Sequence, residues 1–293
     1  MKSGYRFEKL VPYAFIAPFM ISFLIFFFLP AAYSLVLSFF QYKGYGTMRF
    51  VGVNNYTSLL TYKTFWLSIR NTLFYFIVHT IPTMIVSFVL AYMLQSKLIS
   101  GVQRIFKPIL FLPQVVPIIA SALIWRILLA RDYGAVNQIL GTSIDFLQDA
   151  AVRKWSVVVL LIWRAVGWYM VIYLAGLTTI GDEIRDASRI DGTNSVQHVF
   201  RIVLPIMRPI FLFAFIMNAI GSIKIFSEPN VLLSTNTGRI NQPNAMSIMN
   251  VLLMNLQGAN FGMASAVGWF VFLLVLAVTI LWFRVLGDQE RKR

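Results

Sequence analysis

The chain contains no cysteine. Disulfides, thiolate chemistry and Cys-based metal sites are therefore excluded, and cysteine usage says nothing about redox compartment. Charge is also scarce. Only 12% of the 293 residues are Asp, Glu, Lys or Arg, against about 25% in a soluble domain, too little to cover a soluble surface of this size. The acidic sign is the rarer, with 11 Asp and Glu against 25 Lys and Arg and a formal net charge of +14. Histidine occurs only at His79 and His198, far apart in topology, so no catalytic or metal-ligating constellation forms around imidazole. No nucleophile motif is present, and the expectation is a protein without enzymatic activity, without a metal and without a cofactor of its own. No Gly-x-x-x-x-Gly-Lys-Ser/Thr phosphate loop occurs, so the chain is not itself an ATPase. Internal repeats and low-complexity tracts are absent too.

What remains is apolar. Hydrophobic residues make up 58% of the chain, and the mean hydropathy is +0.74. They fall in long runs, and a helix needs about 20 such residues to cross the hydrocarbon. Six stretches qualify: 13–40, 71–94, 106–129, 155–178, 205–226 and 264–286. The first is too long for a signal-peptide core and lacks a small-residue cleavage site, so it reads as a retained anchor. The expectation is an all-α, polytopic membrane helix bundle forming one domain over residues 1–293. The basic residues lie mostly between apolar runs and are not clustered with exposed aromatics, which argues against nucleic acid and for topology. With both termini inside, fourteen Lys and Arg fall in inside segments, among them Lys2, Lys97, Arg291, Lys292 and Arg293; eight, among them Lys43 and Arg239, fall outside. That bias predicts cytoplasmic termini, with lipid as solvent.

Two loops are long enough to carry function. Loop 41–70, predicted outside, is polar and holds Gly44, Gly46, Gly52 and the pair Asn54–Asn55. Loop 179–204, predicted inside, carries two short helical segments. Asp182 can cap a helix running to about Ile190, Asp191–Gly192 reads as a turn, and Thr193 or Asn194 can cap a second helix. In that second helix Val196, Val199, Phe200 and Val203 form one apolar stripe, with Gln197, His198 and Arg201 off it. Such a unit either packs on the membrane surface or docks a soluble partner.

The second loop also carries a resemblance. Asp186-Ala187-Ser188-Arg189-Ile190-Asp191-Gly192-Thr193, followed by Phe200, Leu204-Pro205 and Pro209, closely resembles the EAA loop of bacterial ABC-importer permeases. The family pattern is Glu-Ala-Ala, two residues, Asp-Gly-Ala, then Phe and Leu-Pro. Asp186, Ser188 and Thr193 are substitutions that keep charge sign or small size. Phe50-Val51-Gly52-Val53-Asn54-Asn55-Tyr56, Arg70-Asn71-Thr72-Leu73, Phe111-Leu112-Pro113, Ile124-Trp125-Arg126, Tyr133-Gly134, Asn137 and Phe261-Gly262-Met263-Ala264-Ser265-Ala266 are similar to the carbohydrate-importing branch, in the class of the larger maltose permease subunit. The chain departs from that branch at Ser234-Thr235-Asn236-Thr237-Gly238-Arg239, where Thr-x-Gly-Gly-Pro is common. The resemblance implies that this chain and a second homologous permease enclose a path for a sugar or oligosaccharide. An extracellular binding protein would deliver the solute. A cytoplasmic ATPase dimer, which binds the ATP, would grip the coupling loop through Asp186, Ala187, Ser188, Asp191, Gly192, Phe200 and Pro205.

Ionisable groups inside spans are functional candidates because their burial is costly. Arg126, Arg164 and Lys224 qualify, and no Asp or Glu lies deep in any expected span, which argues against a carboxylate relay. Arg126 and Lys224 sit near outer ends, where snorkelling is the alternative; Arg164 lies deeper. The fifth span carries Asn218, Gly221, Ser222 and Lys224 between Phe215 and Phe226, which are donors, acceptors and aromatic faces suited to a sugar. Asn218, Ser222, Lys224 and Arg164 are the candidate path residues, with helix–helix hydrogen bonding the alternative for Asn218 and Ser222. His79 reads as an interhelical donor. Import of glycerol phosphate or another polyol-like solute, or secondary transport, are the competing functions.

Overall fold

A computed structural model describes residues 4–95, 100–234, 240 and 242–287. The basic residues Lys2, Lys97, Arg239, Arg291, Lys292 and Arg293, and the departure at 235–239, lie outside the described residues. The described residues are mostly helical, with one two-stranded hairpin. The elements are α1 (Gly4–Phe23), α2 (Leu29–Leu37), a β1–β2 hairpin (Phe40–Gln41 and Arg49–Phe50), α3 (Asn54–Thr61), α4 (Lys63–Gln95), α5 (Ser100–Val115) and α6 (Ile118–Leu128). After these come α7 (Ala135–Leu140), α8 (Arg153–Thr178), α9 (Asp182–Ile190), α10 (Ser195–His198), α11 (Leu204–Ile206), α12 (Arg208–Ile223), α13 (Ser227–Leu232), α14 (Ile248–Gln257) and α15 (Phe261–Gly287).

Four helical stretches are long and apolar enough to cross a bilayer singly: Val11–Leu37, Lys63–Gln95, Arg153–Thr178 and Phe261–Trp282. The other two expected spans are not straight rods. Gln103–Val115 and Ile118–Leu128 meet at 98°, and Ser195–Ile206 and Arg208–Ile223 at 72°. Proline explains the first break. Pro117 has φ −53° and ψ 136° and caps α6, and a residue before proline is driven out of the α region. At the second, Met207 leaves helical geometry with ψ 0°, just ahead of Pro209 in the first turn of α12.

Two π-helical turns, Leu24–Phe28 and Val199–Val203, are each followed by a Leu-Pro pair, Leu29–Pro30 and Leu204–Pro205. A proline ring in a helix collides with the carbonyl four residues earlier, here Phe26 and Arg201. Both lie inside the widened turns, which relieve that collision while keeping the chain helical.

The chain divides into two compact units, Met1–Lys63 with Val251–Phe270, and Thr64–Asn250 with Val271–Arg293. In the first, β1 and β2 pair Phe40 with Phe50 and Gln41 with Arg49. Asn55 Nδ2 donates to the carbonyls of Ser38 (2.8 Å) and Phe40 (3.0 Å). A Cβ on Gly262 would strike the Phe40 carbonyl, so only glycine fits there. None of the apolar window of Val11–Leu37 is buried.

The second unit has two cores. One gathers Tyr75, Val157, Leu160, Leu232, Leu233 and Met246; the other gathers Ala91, Met170, Tyr173, Leu177, Met207 and Ala214. Hydrogen bonds tie α4 to α8, from Ser87 Oγ to the Val166 carbonyl (2.8 Å) and from Gln95 Nε2 to the Leu177 carbonyl (2.7 Å). Helices α5 and α8 cross closely at Gly167, where a Cβ would lie 2.6 Å from the Leu110 carbonyl carbon. Small residues at such crossings let backbones approach in a membrane.

Candidate functional site

Within the second unit a cavity of about 260 Å³ opens between α4, α5, α6, α8, α12 and α13. His79, half-way along α4, faces Asn218 and Ser222 of α12. Thr80 Oγ1 donates to Asn218 Oδ1 at 2.6 Å, Ser222 Oγ contacts the Asn218 carbonyl at 2.7 Å, and His79 Nδ1 lies 3.2 Å from Ser222 Oγ. The Thr80 and His79 contacts cross from α4 to α12, whereas the Ser222 bond to the Asn218 carbonyl lies within α12, and Asn218 and Ser222 line the cavity as well. The interhelical bonds meet the packing reading, and the same two residues form part of a cavity wall.

Arg164 enters the same cavity from α8. Its Nη1 is buried and has no hydrogen-bond partner. Trp168 and Tyr169 follow it on α8, and Gln114 comes from the last turn of α5. Glu228 reaches the cavity from α13 and is only 9% exposed. Burial pushes its carboxyl above the ordinary carboxylate value, while the backbone N–H groups of Glu228 and Phe226 and the Arg164 charge pull it back down.

The structure does not bring every expected residue to this place. Lys224 is exposed at the C-cap of α12 and is not part of the cavity lining. Arg126 is tied instead to Ser234 Oγ, to which its Nη1 donates at 3.0 Å. Phe215 stacks on Trp282 with ring centroids 3.6 Å apart and lines a separate apolar groove with Met84, Leu204 and Phe211. The aromatic faces of the cavity are Trp168 and Tyr169. Sequence reading passed over Gln114, Trp168, Tyr169 and Glu228. Glu228 had a signal: Ser227-Glu228-Pro229 places an acid and a proline in the first turn of a helix, where both are favoured.

Among the described residues no group of three or more His, Asp or Glu is placed to hold a metal ion.

The 179–204 loop folds as a compact pair of short helices, α9 and α10. Asp191 N–H bonds the Ala187 carbonyl (3.0 Å), Thr193 N–H bonds the Ser188 carbonyl (3.1 Å), and Gly192 sits between them at φ +72°. This is the Schellman closure of a helix, which needs the left-handed conformation glycine adopts freely. A Cβ on Gly192 would meet nothing within 4 Å, so the requirement is one of backbone angle and not of space. Asn194 caps α10 in a reciprocal box with Gln197, at 2.8 and 3.1 Å.

Ser188 is buried in this unit. Its hydroxyl donates to the Arg185 carbonyl (2.8 Å) and lies 2.9 Å from His198 Nδ1. The other docking candidates, Asp186, Ala187, Asp191, Gly192, Phe200 and Pro205, are exposed. The expected stripe splits: Val203 is buried, but Val196 and Phe200 are 64% and 66% exposed and His198 lies inside. The π turn at Val199–Val203 explains this, because its wider winding shifts the register on which the stripe was read. Ile190, 87% exposed, adds to the apolar surface that the loop presents.

Residues 87–291 match the family described as binding-protein-dependent transport system inner membrane component. The chain is 30% identical to the arabinooligosaccharides transport system permease protein AraP of Bacillus subtilis, over 96% of this chain and 90% of that protein. It is 30% identical to the lactose transport system permease protein LacF of Rhizobium radiobacter, over 98% of this chain and 97% of that protein. Among solved structures it is similar to a chain of the bacterial alginate ABC transporter in complex with an alginate pentasaccharide-bound periplasmic protein. That match has a TM-score of 0.83 and 23% identity, and covers 97% of this chain and 96% of that one.

Proposed function

Because the chain belongs to the binding-protein-dependent transport system inner membrane components, we propose that it is one permease subunit of an ATP-driven importer for a sugar or oligosaccharide. A second permease completes the path, an extracellular binding protein delivers the solute, and a cytoplasmic ATPase dimer drives the cycle. Both termini face the cytoplasm. The exposed span Val11–Leu37 meets lipid or the second permease. The names of AraP and LacF support sugar as the cargo class.

The observation that carries this reading is the α9–α10 unit. It is closed by the Gly192 turn and the Asn194 cap, pinned internally by Ser188 and His198, and leaves Ile190, Val196 and Phe200 bare. Apolar side chains left bare on a folded unit mark a surface that another body covers, and the resemblance to the EAA loop favours a soluble partner over the membrane surface. The cavity around Arg164, Asn218 and Ser222 is this subunit's share of the solute path. It offers amides, hydroxyls and the Trp168 indole, the groups that suit a sugar ring, whose edge is polar and whose face is apolar.

The test is uptake by proteoliposomes holding the whole importer, with its binding protein outside and ATP inside. Labelled arabino- and galacto-oligosaccharides enter only when ATP is enclosed, and collapse of proton and sodium gradients leaves uptake unchanged. Uptake that follows an ion gradient without ATP overturns the reading.

A further inference from the structure

The cavity contains one cation and one carboxylate, presented from different elements. Arg164 stands on α8 and Glu228 on α13, close enough to influence each other electrostatically, and among the described residues no direct ion pair joins them. Arg164 Nη1 is a buried donor with no acceptor. A guanidinium only donates, an ionised carboxylate only accepts, and a hydroxyl does both. A ligand that satisfies both ends must therefore offer an acceptor towards Arg164 and a donor towards Glu228.

A carboxylate or phosphate offers acceptors alone. It would suit Arg164 and, with Glu228 ionised beside Arg164, leave that largely buried carboxylate facing a like charge. Neighbouring hydroxyls on a sugar ring suit both at once. The remaining polar lining is His79, Gln114, Tyr169, Asn218 and Ser222, whose amides, hydroxyls and imidazole in its neutral form can each give and take hydrogen bonds. Lys224, which would tip the balance towards anions, points elsewhere and is exposed.

We propose that this cavity selects an uncharged, hydroxyl-bearing sugar and rejects uronates and sugar phosphates, and that Glu228 is the residue that sets the selection. Discrimination here works by repulsion as much as by attraction. The inference rests on the reading of the cavity as part of the solute path.

Trp168 lines the cavity and gives a direct readout. The complete importer in nanodiscs is titrated with maltotriose and with trigalacturonate up to tens of millimolar, and the change in tryptophan emission that disappears in Trp168→Phe is recorded. Maltotriose produces that change and trigalacturonate does not over the same range. Glu228→Gln narrows the preference by about tenfold, chiefly by admitting the uronate, as expected from removing a like-charge contact; Glu228→Asp keeps it. A wild-type response to trigalacturonate equal to that for maltotriose overturns the proposal without recourse to any variant, as does an unchanged preference in a folded Glu228→Gln. If neither sugar changes the signal while ATP-driven oligosaccharide uptake persists, the cavity is not on the path and the selectivity claim falls, but the importer reading stands. Loss of ATP-driven uptake itself is the separate failure of that reading.

Discussion

Asn218 shows how one side chain can pack against a neighbouring helix and still line a cavity. Its Oδ1 accepts from the buried hydroxyl of Thr80, and the residue also faces the cavity. Asn218→Leu leaves that hydroxyl without an acceptor, a loss of about 1–3 kcal/mol, and removes an amide from the lining. Thr80→Val combined with Asn218→Leu replaces both partners by apolar groups and regains most of the stability. The thermal midpoint of the purified complex should fall in the single variant and recover in the double, while uptake stays low in both. Recovery of uptake in the double variant would reduce Asn218 to a packing residue. Asn218, Ser222 and Arg164 were legible because a polar group in an apolar run stands out. Lys224 stood out equally, but two residues beyond Ser222 an α-helix has turned by about 200°, and its side chain emerges on another face. Trp168 and Tyr169 were illegible among the many aromatics of the spans, since a helix apolar on all sides gives no sign of which face lines a cavity. Glu228 was missed because it lies just past the expected end of a span, on a short helix that buries it.

At the scale of elements, close crossings and proline breaks shape the walls of the cavity. The α5–α8 crossing depends on Gly167, where even a methyl group would collide with the Leu110 carbonyl and lie 2.9 Å from the Phe111 Cα. These are backbone atoms, so no side-chain rotation relieves the contact. Gly167→Ala should destabilise by about 1–3 kcal/mol, the usual range for overpacking, seen as a lower midpoint in thermal unfolding of the detergent-solubilised protein; an unchanged midpoint would mean that α5 shifts freely against α8. The existence of each helix was plain from hydrophobic runs, and the cap at Asn194 and the turn at Asp191–Gly192 from residue type. The 98° and 72° bends were not. Prolines at Pro82, Pro108 and Pro113 stay inside helices, whereas Pro117 breaks one. Proline alone therefore marks where a helix can bend without saying that it does, because neighbours in a membrane protein can re-satisfy the freed backbone.

For the molecule as a whole, the chain has no ATP-binding loop of its own, so the energy for transport must enter through a contact. In the proposed reading the α9–α10 unit is that contact: it is closed within by the Schellman turn, the capping box and the Ser188–His198 contact, and it bears bare apolar side chains without. Gly192→Val tests it most directly. At φ +72° a β-branched residue strains the turn by about 1–2 kcal/mol. The open space around that position means the rest of this subunit does not feel the side chain, whereas a partner seated there would. Asp186→Lys reverses charge on the same exposed helix. The measurement is binding-protein-stimulated ATPase activity and sugar uptake by the reconstituted importer, wild type beside Gly192→Val and Asp186→Lys. Both variants are predicted to insert and assemble their spans normally, yet to lose ATPase binding or to hydrolyse ATP without importing sugar. If both retain stimulated hydrolysis and uptake at wild-type levels, the loop is a connector and the account of how this subunit is driven is contradicted.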